Sequence, residues 1–179
     1  CGVGFAPVRR ADHDRLSRLM EGVEDIPGAA LHEGLSWEWE SFADYLDAVE
    51  ARPHDIDIAI QVPHGAVRVY VMGERGAKRE PASDTEIAEM RDIVRDAIKA
   101  GAIGFSTSRT VAHRTIDGDL TPTLGAADRE MMAIAEGLKE AGAGVLQWVS
   151  DFRDIDHEFT LVEKLVEISG RPLSFSLVQ

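Results

Sequence analysis

Cysteine is almost absent from this chain: its 179 residues contain one, Cys1. An internal disulfide is therefore excluded, which suits a reducing cytoplasm. Basic residues are scarce as well. Nineteen Lys and Arg face 32 Asp and Glu, for a net charge of -13. That balance argues against nonspecific binding to nucleic acid or to an anionic membrane surface, where cations supply the attraction. No apolar stretch approaches the roughly 18–20 residues that a membrane span needs. The spacings H-x-H, H-E-x-x-H and C-x-x-C are missing, so the usual three or four metal ligands are not recognisable in this segment alone. No G-x-G-x-x-G or G-K-[ST] follows a strand-like run, which weakens a nucleotide-binding Rossmann assignment. There is no initiator Met and no signal-peptide pattern. The chain opens instead inside an apolar, strand-like run, Cys1-Gly-Val-Gly-Phe-Ala-Pro-Val. This predicts the middle of a longer protein.

What is present is a core-forming composition, 44% hydrophobic, enough for one domain. Five apolar β-like runs recur at 2–8, 56–62, 101–107, 144–149 and 172–178. Helical patterns fill most of the gaps. Ser83 and Glu86 form an S-x-x-E capping box. Ile87, Met90, Ile93, Val94, Ala97 and Ile98 then repeat at helical spacing until Gly101. A second helix fits 126–141, with Met131, Ile134, Ala135 and Leu138 inward. A third fits 155–169, with Phe159, Val162, Leu165 and Val166 inward. Strands alternating with helices predict an α/β fold with a parallel sheet. Two architectures satisfy that pattern, an open doubly wound sheet and part of a (β/α)8 TIM-type barrel. Five strands would be about five of the eight units of a barrel. The stretch 20–52 departs from the pattern. It carries Trp37 and Trp39 and a short helix, and reads as a long excursion. It either covers a site mouth or is a loop that the tryptophans anchor to the body.

In either architecture ligands bind at the carboxyl ends of the strands. That rule selects His64 and Arg68, Ser106 and Arg109, His113, and Asp151. His64 follows Pro63 and precedes Gly65, which places it on a turn, as a base or metal ligand or as a histidine bonded to backbone. Arg68 can hold a carboxylate through a bidentate pair or form a surface ion pair. Asp151 is a general acid or base, or the cap of the next helix. His13, His32, His54 and His157 have polar neighbours and are not selected.

Taken together, Cys1-Gly-Val-Gly-Phe-Ala-Pro, Glu21-Gly-Val-Glu-Asp-Ile-Pro-Gly, Trp37-Glu-Trp-Glu-Ser-Phe, Val62-Pro-His-Gly-Ala-Val-Arg and Ala102-Ile-Gly-Phe-Ser-Thr-Ser resemble segments of the N-acyl-D-amino-acid deacylases (D-aminoacylases) of the amidohydrolase superfamily. The resemblance covers nearly the whole chain. It implies a single partial-barrel domain over 1–179 and hydrolysis of a small-molecule amide. It also implies a zinc-type metal, with Cys1 at the position of the family's metal-bound cysteine. His64 and Asp151 are then the catalytic candidates. Arg68, Ser106, Arg109 and His113 are the substrate-binding candidates. The chain departs from the family at two strand ends where a metal histidine is expected. It has Gln147-Trp-Val-Ser-Asp151 at one and Ser174-Phe-Ser at the other. The alternative is therefore a catalytically silent binding or scaffold protein of the same fold. A third possibility is a self-contained small α/β protein with an open sheet. Open barrel edges would also favour self-association.

Overall fold

A computed structural model describes residues 2–177. After a 3-10 turn at Arg10–Asp12 come α1 (His13–Glu24), α2 (Gly28–Gly34), α3 (Phe42–Glu50), β1 (Gln61–Pro63), α4 (His64–Met72) and α5 (Glu74–Ala77). Then follow α6 (Asp84–Ala100), β2 (Gly104–Arg109), α7 (Asp128–Ala141), β3 (Val145–Ser150), α8 (Ile155–Ser169) and β4 (Leu173–Leu177). The four strands are parallel and lie in the order β1-β2-β3-β4. The crossover helices α6, α7 and α8 pack on one another in the same succession. A doubly wound sheet would reverse its strand order and place helices on both faces. The sequential order is that of a TIM-type barrel wall, and the α/β partial-barrel expectation holds.

The three helices that periodicity placed, α6, α7 and α8, form there. The Ser83–Glu86 capping box opens α6: Ser83 N donates to Glu86 Oε2 at 2.7 Å, and Glu86 N donates to Ser83 Oγ at 3.3 Å. Ile87, Met90, Val94, Ala97 and Ile98 are buried along it, and Ile93 is partly buried. The four expected positions of α7 are all buried. In α8 the stripe is rotated: Leu161, Val162 and Leu165 are buried, whereas Phe159 and Val166 are each 38% exposed. Phe159 instead meets Phe152 and Phe175 in an aromatic trio beside β4.

Parallel register fixes which side chains share a face, because paired residues point the same way. Phe105, Leu146 and Leu173 are partners, as are Thr107, Trp148 and Phe175. Phe105, Leu146 and Trp148 belong to the core that includes the buried stripes of α6, α7 and α8, so this is the helix face. The opposite, inner face carries Ser106, Gln147 and Ser174 in one row and Ser108, Val149 and Ser176 in the next.

Three expectations need correction. Residues 2–8 form no strand. They run across the carboxyl end of the sheet, where Gly65 N donates to Gly2 O at 2.9 Å and Val8 N to Glu40 O at 2.9 Å. The second run shortens to β1, and Ile56 and Ile58 are exposed, because β1 pairs on one side only among the described residues. The excursion starts earlier than residue 20, with α1. Its tryptophans anchor it: Trp39 Nε1 donates to Phe5 O at 2.8 Å, and Trp37 stacks on His13. Helix α3 packs against α6 in the outer layer rather than over the strand ends.

Candidate functional site

The sheet divides the expected site residues between its two faces. Val62 of β1 points into the helix-side core, and His64 follows two residues later in the same phase. His64 does not sit on a free turn; it opens α4 and is fully buried. Its Nε2 lies 2.7 Å from Glu130 Oε1 and its Nδ1 lies 2.8 Å from Thr107 Oγ1. One helical turn on, buried Arg68 pairs with Glu130 Oε2 and donates to Glu80 O at 2.8 Å, while its Nε has no partner. Burial pulls the Glu130 carboxyl upward, but His64 and the Arg68 guanidinium outweigh it and hold the group at about 2. Burial pushes the His64 imidazole below its ordinary value, outweighing Glu130, and Arg68 and Arg109 add to the lowering. An ionised carboxylate only accepts, so the neutral ring carries its proton on Nε2 and Nδ1 accepts from the Thr107 hydroxyl. The group ties α4, β2 and α7 together, and every polar atom of the imidazole is engaged.

Arg109 lies on the same face. It makes a two-point contact with Glu158 of α8, Nε to Oε1 at 3.0 Å and Nη2 to Oε1 at 2.8 Å, and donates to Ala126 O at 2.9 Å. Its guanidinium also lies over the ring of Trp148, whose Nε1 donates to Glu158 Oε2 at 3.0 Å. Arg68, selected as a carboxylate binder, and Arg109, a substrate-binding candidate, are thus both held by glutamates within the helix layer.

The inner face gathers the others. Ser106 Oγ accepts from Gly2 N at 3.1 Å. Buried Ser108, two residues on, lies 2.7 Å from His113 Nδ1 through its Oγ. Asp151 continues the inner phase of β3. Its carboxylate accepts from the Thr110 hydroxyl and from Val111 N at 2.9 Å, and Arg153 lies 3.4 Å away. Burial pulls Asp151 upward, but these hydrogen bonds prevail and lower it, so it is an ionised clamp on the loop after β2. The cap of α8 is Asp154, whose Oδ1 accepts from His157 N at 3.2 Å, and not Asp151. Burial lowers the His113 imidazole below its ordinary value against the pull of Glu24 and Asp151. Ser106, His113 and Asp151 therefore share the inner face, apart from His64, Arg68 and Arg109. Cys1 lies outside the described residues.

Among the described residues no group of three His, Cys, Asp or Glu is placed to hold a metal ion. The inner-face rows offer hydroxyls, an amide and a valine, which are poor ligands for zinc. These residues alone do not fit the metal that the resemblance implied. Glu130 and Glu158 were not singled out from the sequence, yet a signal existed. Each acid sits four residues before a buried apolar position, Ile134 and Val162, on the stripe of its helix.

The comparisons with known proteins follow the same lines. A D-aminoacylase of Alcaligenes xylosoxydans xylosoxydans is 38% identical over 107 residues, 60% of this chain and 19% of that protein. An N-acyl-D-aspartate deacylase of the same organism is 27% identical over 180 residues, 99% of this chain and 31% of that protein. An uncharacterised protein of Mycobacterium tuberculosis is 26% identical over 150 residues, 79% of this chain and 24% of that protein. The chain thus spans less than a third of the length of the curated relatives it matches. No solved structure gives a match. The model of the amidohydrolase family matches residues 5–179, and this chain, with its parallel β/α wall and polar inner face, belongs to that family.

Proposed function

We propose that the protein carrying this sequence hydrolyses the amide bond of an N-acylated D-amino acid. The observation that carries the proposal is the placement of Ser106, Ser108, His113 and Asp151 on the inner face at the strand carboxyl ends. That end of the wall is where barrels build active sites. Membership of the amidohydrolase family and the names of two relatives support a hydrolase over a silent scaffold. Inner-face groups would orient the acyl amide. Arg68 and Arg109 would act by holding the wall rigid, and a substrate carboxylate would be met by other residues.

Zinc bound by Cys1 belongs to the same proposal, because a thiolate suits zinc and family members are generally metal-dependent. Its remaining ligands would come from beyond the described residues, and no step is routed through a metal here. A cytoplasmic setting is proposed from the single cysteine. No helix among the described residues is long and apolar enough to cross a membrane. Beyond β1 and β4 no strand pairs among the described residues, and self-association through these edges is proposed for the 179-residue chain. The test of function is release of free amino acid from a panel of N-acetyl-D-amino acids, alongside zinc analysis of the wild type and Cys1→Ala. Turnover with near-equimolar zinc that falls in the variant is expected. Absence of turnover across the panel would sink the amide proposal. Zinc unchanged in the variant would remove Cys1 from the site.

A further inference from the structure

A cavity of about 570 Å³ opens between α1, the corner of α4 and α5, and residues 115–122 of the loop after β2. Small-molecule sites usually enclose about 300–1,000 Å³. Leu19, Val69, Leu120 and Pro122 give it an apolar lining, and none of the inner-face residues reaches it. Four cations and four carboxylates complete the lining, an even balance in a chain whose acids far outnumber its bases. Its walls are fastened to each other. Ile116 N donates to Arg18 O at 3.1 Å, and Arg18 Nε donates to Asp117 Oδ2 at 2.9 Å. Gly22 of α1 lies so close to the loop that a Cβ there would overlap the backbone of Arg114, Thr115 and Ile116.

Two of the charge pairs around the cavity are closed, Arg18 with Asp117 and Lys78 with Glu74 at 2.7 Å. The other four groups are open. The carboxylate nearest Arg15 is that of Asp12, at 3.4 Å. Among the described residues the Arg79 guanidinium donates only to Leu120 O, at 3.2 Å, which leaves most of its donors free. The Asp14 carboxylate meets only His32, at 3.7 Å, among the described residues. Asp119 bonds through its backbone N to Thr115 Oγ1 at 3.1 Å, and its carboxylate takes no partner among the described residues. Arg79 follows α5 at a φ of 62°, a left-handed position that glycine fills at least cost. An arginine there gives up backbone ease and puts a guanidinium on the cavity.

We propose that this cavity binds a free α-amino acid as its zwitterion. Arg15 and Arg79 take the carboxylate, Asp14 and Asp119 take the ammonium, and the apolar lining meets the side chain. A guanidinium fork matches a carboxylate, and an ammonium needs acceptors for its three donors. The balance of open charges selects the zwitterion. A plain anion would face two unpaired carboxylates, and a plain amine two unpaired guanidinium groups. An N-acylated amino acid has no ammonium and is disfavoured on the same ground. The inference rests on the amide-hydrolysis proposal for the source of the ligand, since that reaction releases a free amino acid. The cavity then binds product at a place apart from the inner face.

The experiment is calorimetric titration of the full-length protein with D-leucine, whose side chain suits the apolar lining, in the wild type, Arg15→Gln, Arg79→Gln and Asp119→Asn. Thermal melts verify that each variant folds. Each substitution should weaken D-leucine binding about 10-fold or more, the effect of losing a hydrogen bond to a charged group. In the wild type 4-methylpentanoate, which lacks the ammonium, and 3-methylbutylamine, which lacks the carboxylate, should bind more weakly by a similar factor. D-leucine affinity unchanged in folded Arg15→Gln and Arg79→Gln would overturn the inference, because any binding would then lie elsewhere. Binding of 4-methylpentanoate as tight as that of D-leucine would overturn it in favour of a simple anion site. Titration needs no turnover. Binding lost in the variants, beside a wild type that hydrolyses no amide, would uphold the cavity assignment and sink only the hydrolysis proposal.

Discussion

The two faces of the sheet hold similar chemistry in opposite states. On the helix face His64, Arg68, Arg109, Glu130 and Glu158 are packed beyond the reach of solvent or nearly so, and the charges are paired. On the inner face His113 and Asp151 retain partial exposure, and the buried hydroxyls of Ser106 and Ser108 steady the groups around them. Both faces have an imidazole, a carboxylate and a hydroxyl. What separates them is whether the imidazole keeps a nitrogen that no neighbour takes. His64 does not, and His113 does among the described residues. A histidine at a strand end is thus a candidate for chemistry only when its face of the sheet is known.

The comparison breaks most visibly at Glu130. Glu130→Ala leaves the Arg68 guanidinium buried without a counter-charge, and a loss of about 3–5 kcal/mol is expected. Urea unfolding measures it, and a loss below about 1 kcal/mol would show that the buried group does not hold the wall together. Glu158→Ala should cost less, about 1.5–3 kcal/mol, the range for hydrogen bonds to a charged group. Arg109 keeps its bond to Ala126 O and its contact with Trp148 in that variant.

Acid sharpens the contrast. The unfolded chain protonates His64 near 6.5, and the folded one resists, so stability should fall as pH drops below 6.5. Glu130 titrates near 4.5 when unfolded and at about 2 when folded, so further stability should be lost as pH falls from 4.5 towards 2. Urea midpoints against pH test this, and Glu130→Gln should lack the lower portion of the loss. The smallest effect is expected on the inner face. Ser106→Ala removes one hydrogen bond to Gly2 N, and about 1 kcal/mol is expected in the same assay. An inner-face loss as large as that of Glu130→Ala would erase the distinction between the faces.

Much of the fold was legible in the sequence. The stripe of α7 and the capping box of α6 are local, set by a 3.6-residue period and by bonds spanning three residues. The strand-end rule also found His113, Ser106 and Asp151. It could not separate them from His64, Arg68 and Arg109, since all six sit near the ends of β1, β2 or β3. Residues 2–8 read as a strand because Val3, Phe5 and Val8 are apolar. Apolar burial is equally satisfied by a segment that crosses a sheet end, and only pairing partners decide between the two. The excursion was visible as a break in the pattern, but whether its tryptophans shield a site or fasten a loop depends on what they touch.

The sequence by itself therefore determined the alternation of helices and strands, the boundaries of α6, α7 and α8 within a few residues, the absence of an internal disulfide and the resemblance to the deacylases. These follow from short-range periodicity, residue counts and motif order. Tertiary structure alone decided the sequential strand order, the sidedness of the polar residues and the pairing of Arg68 with Glu130 and of Arg109 with Glu158. The physical reason is the two-residue period of a strand, which turns a shift of one position into a change of face. The buried charge pairs join residues 62 and 49 positions apart, and no local pattern encodes such a distance.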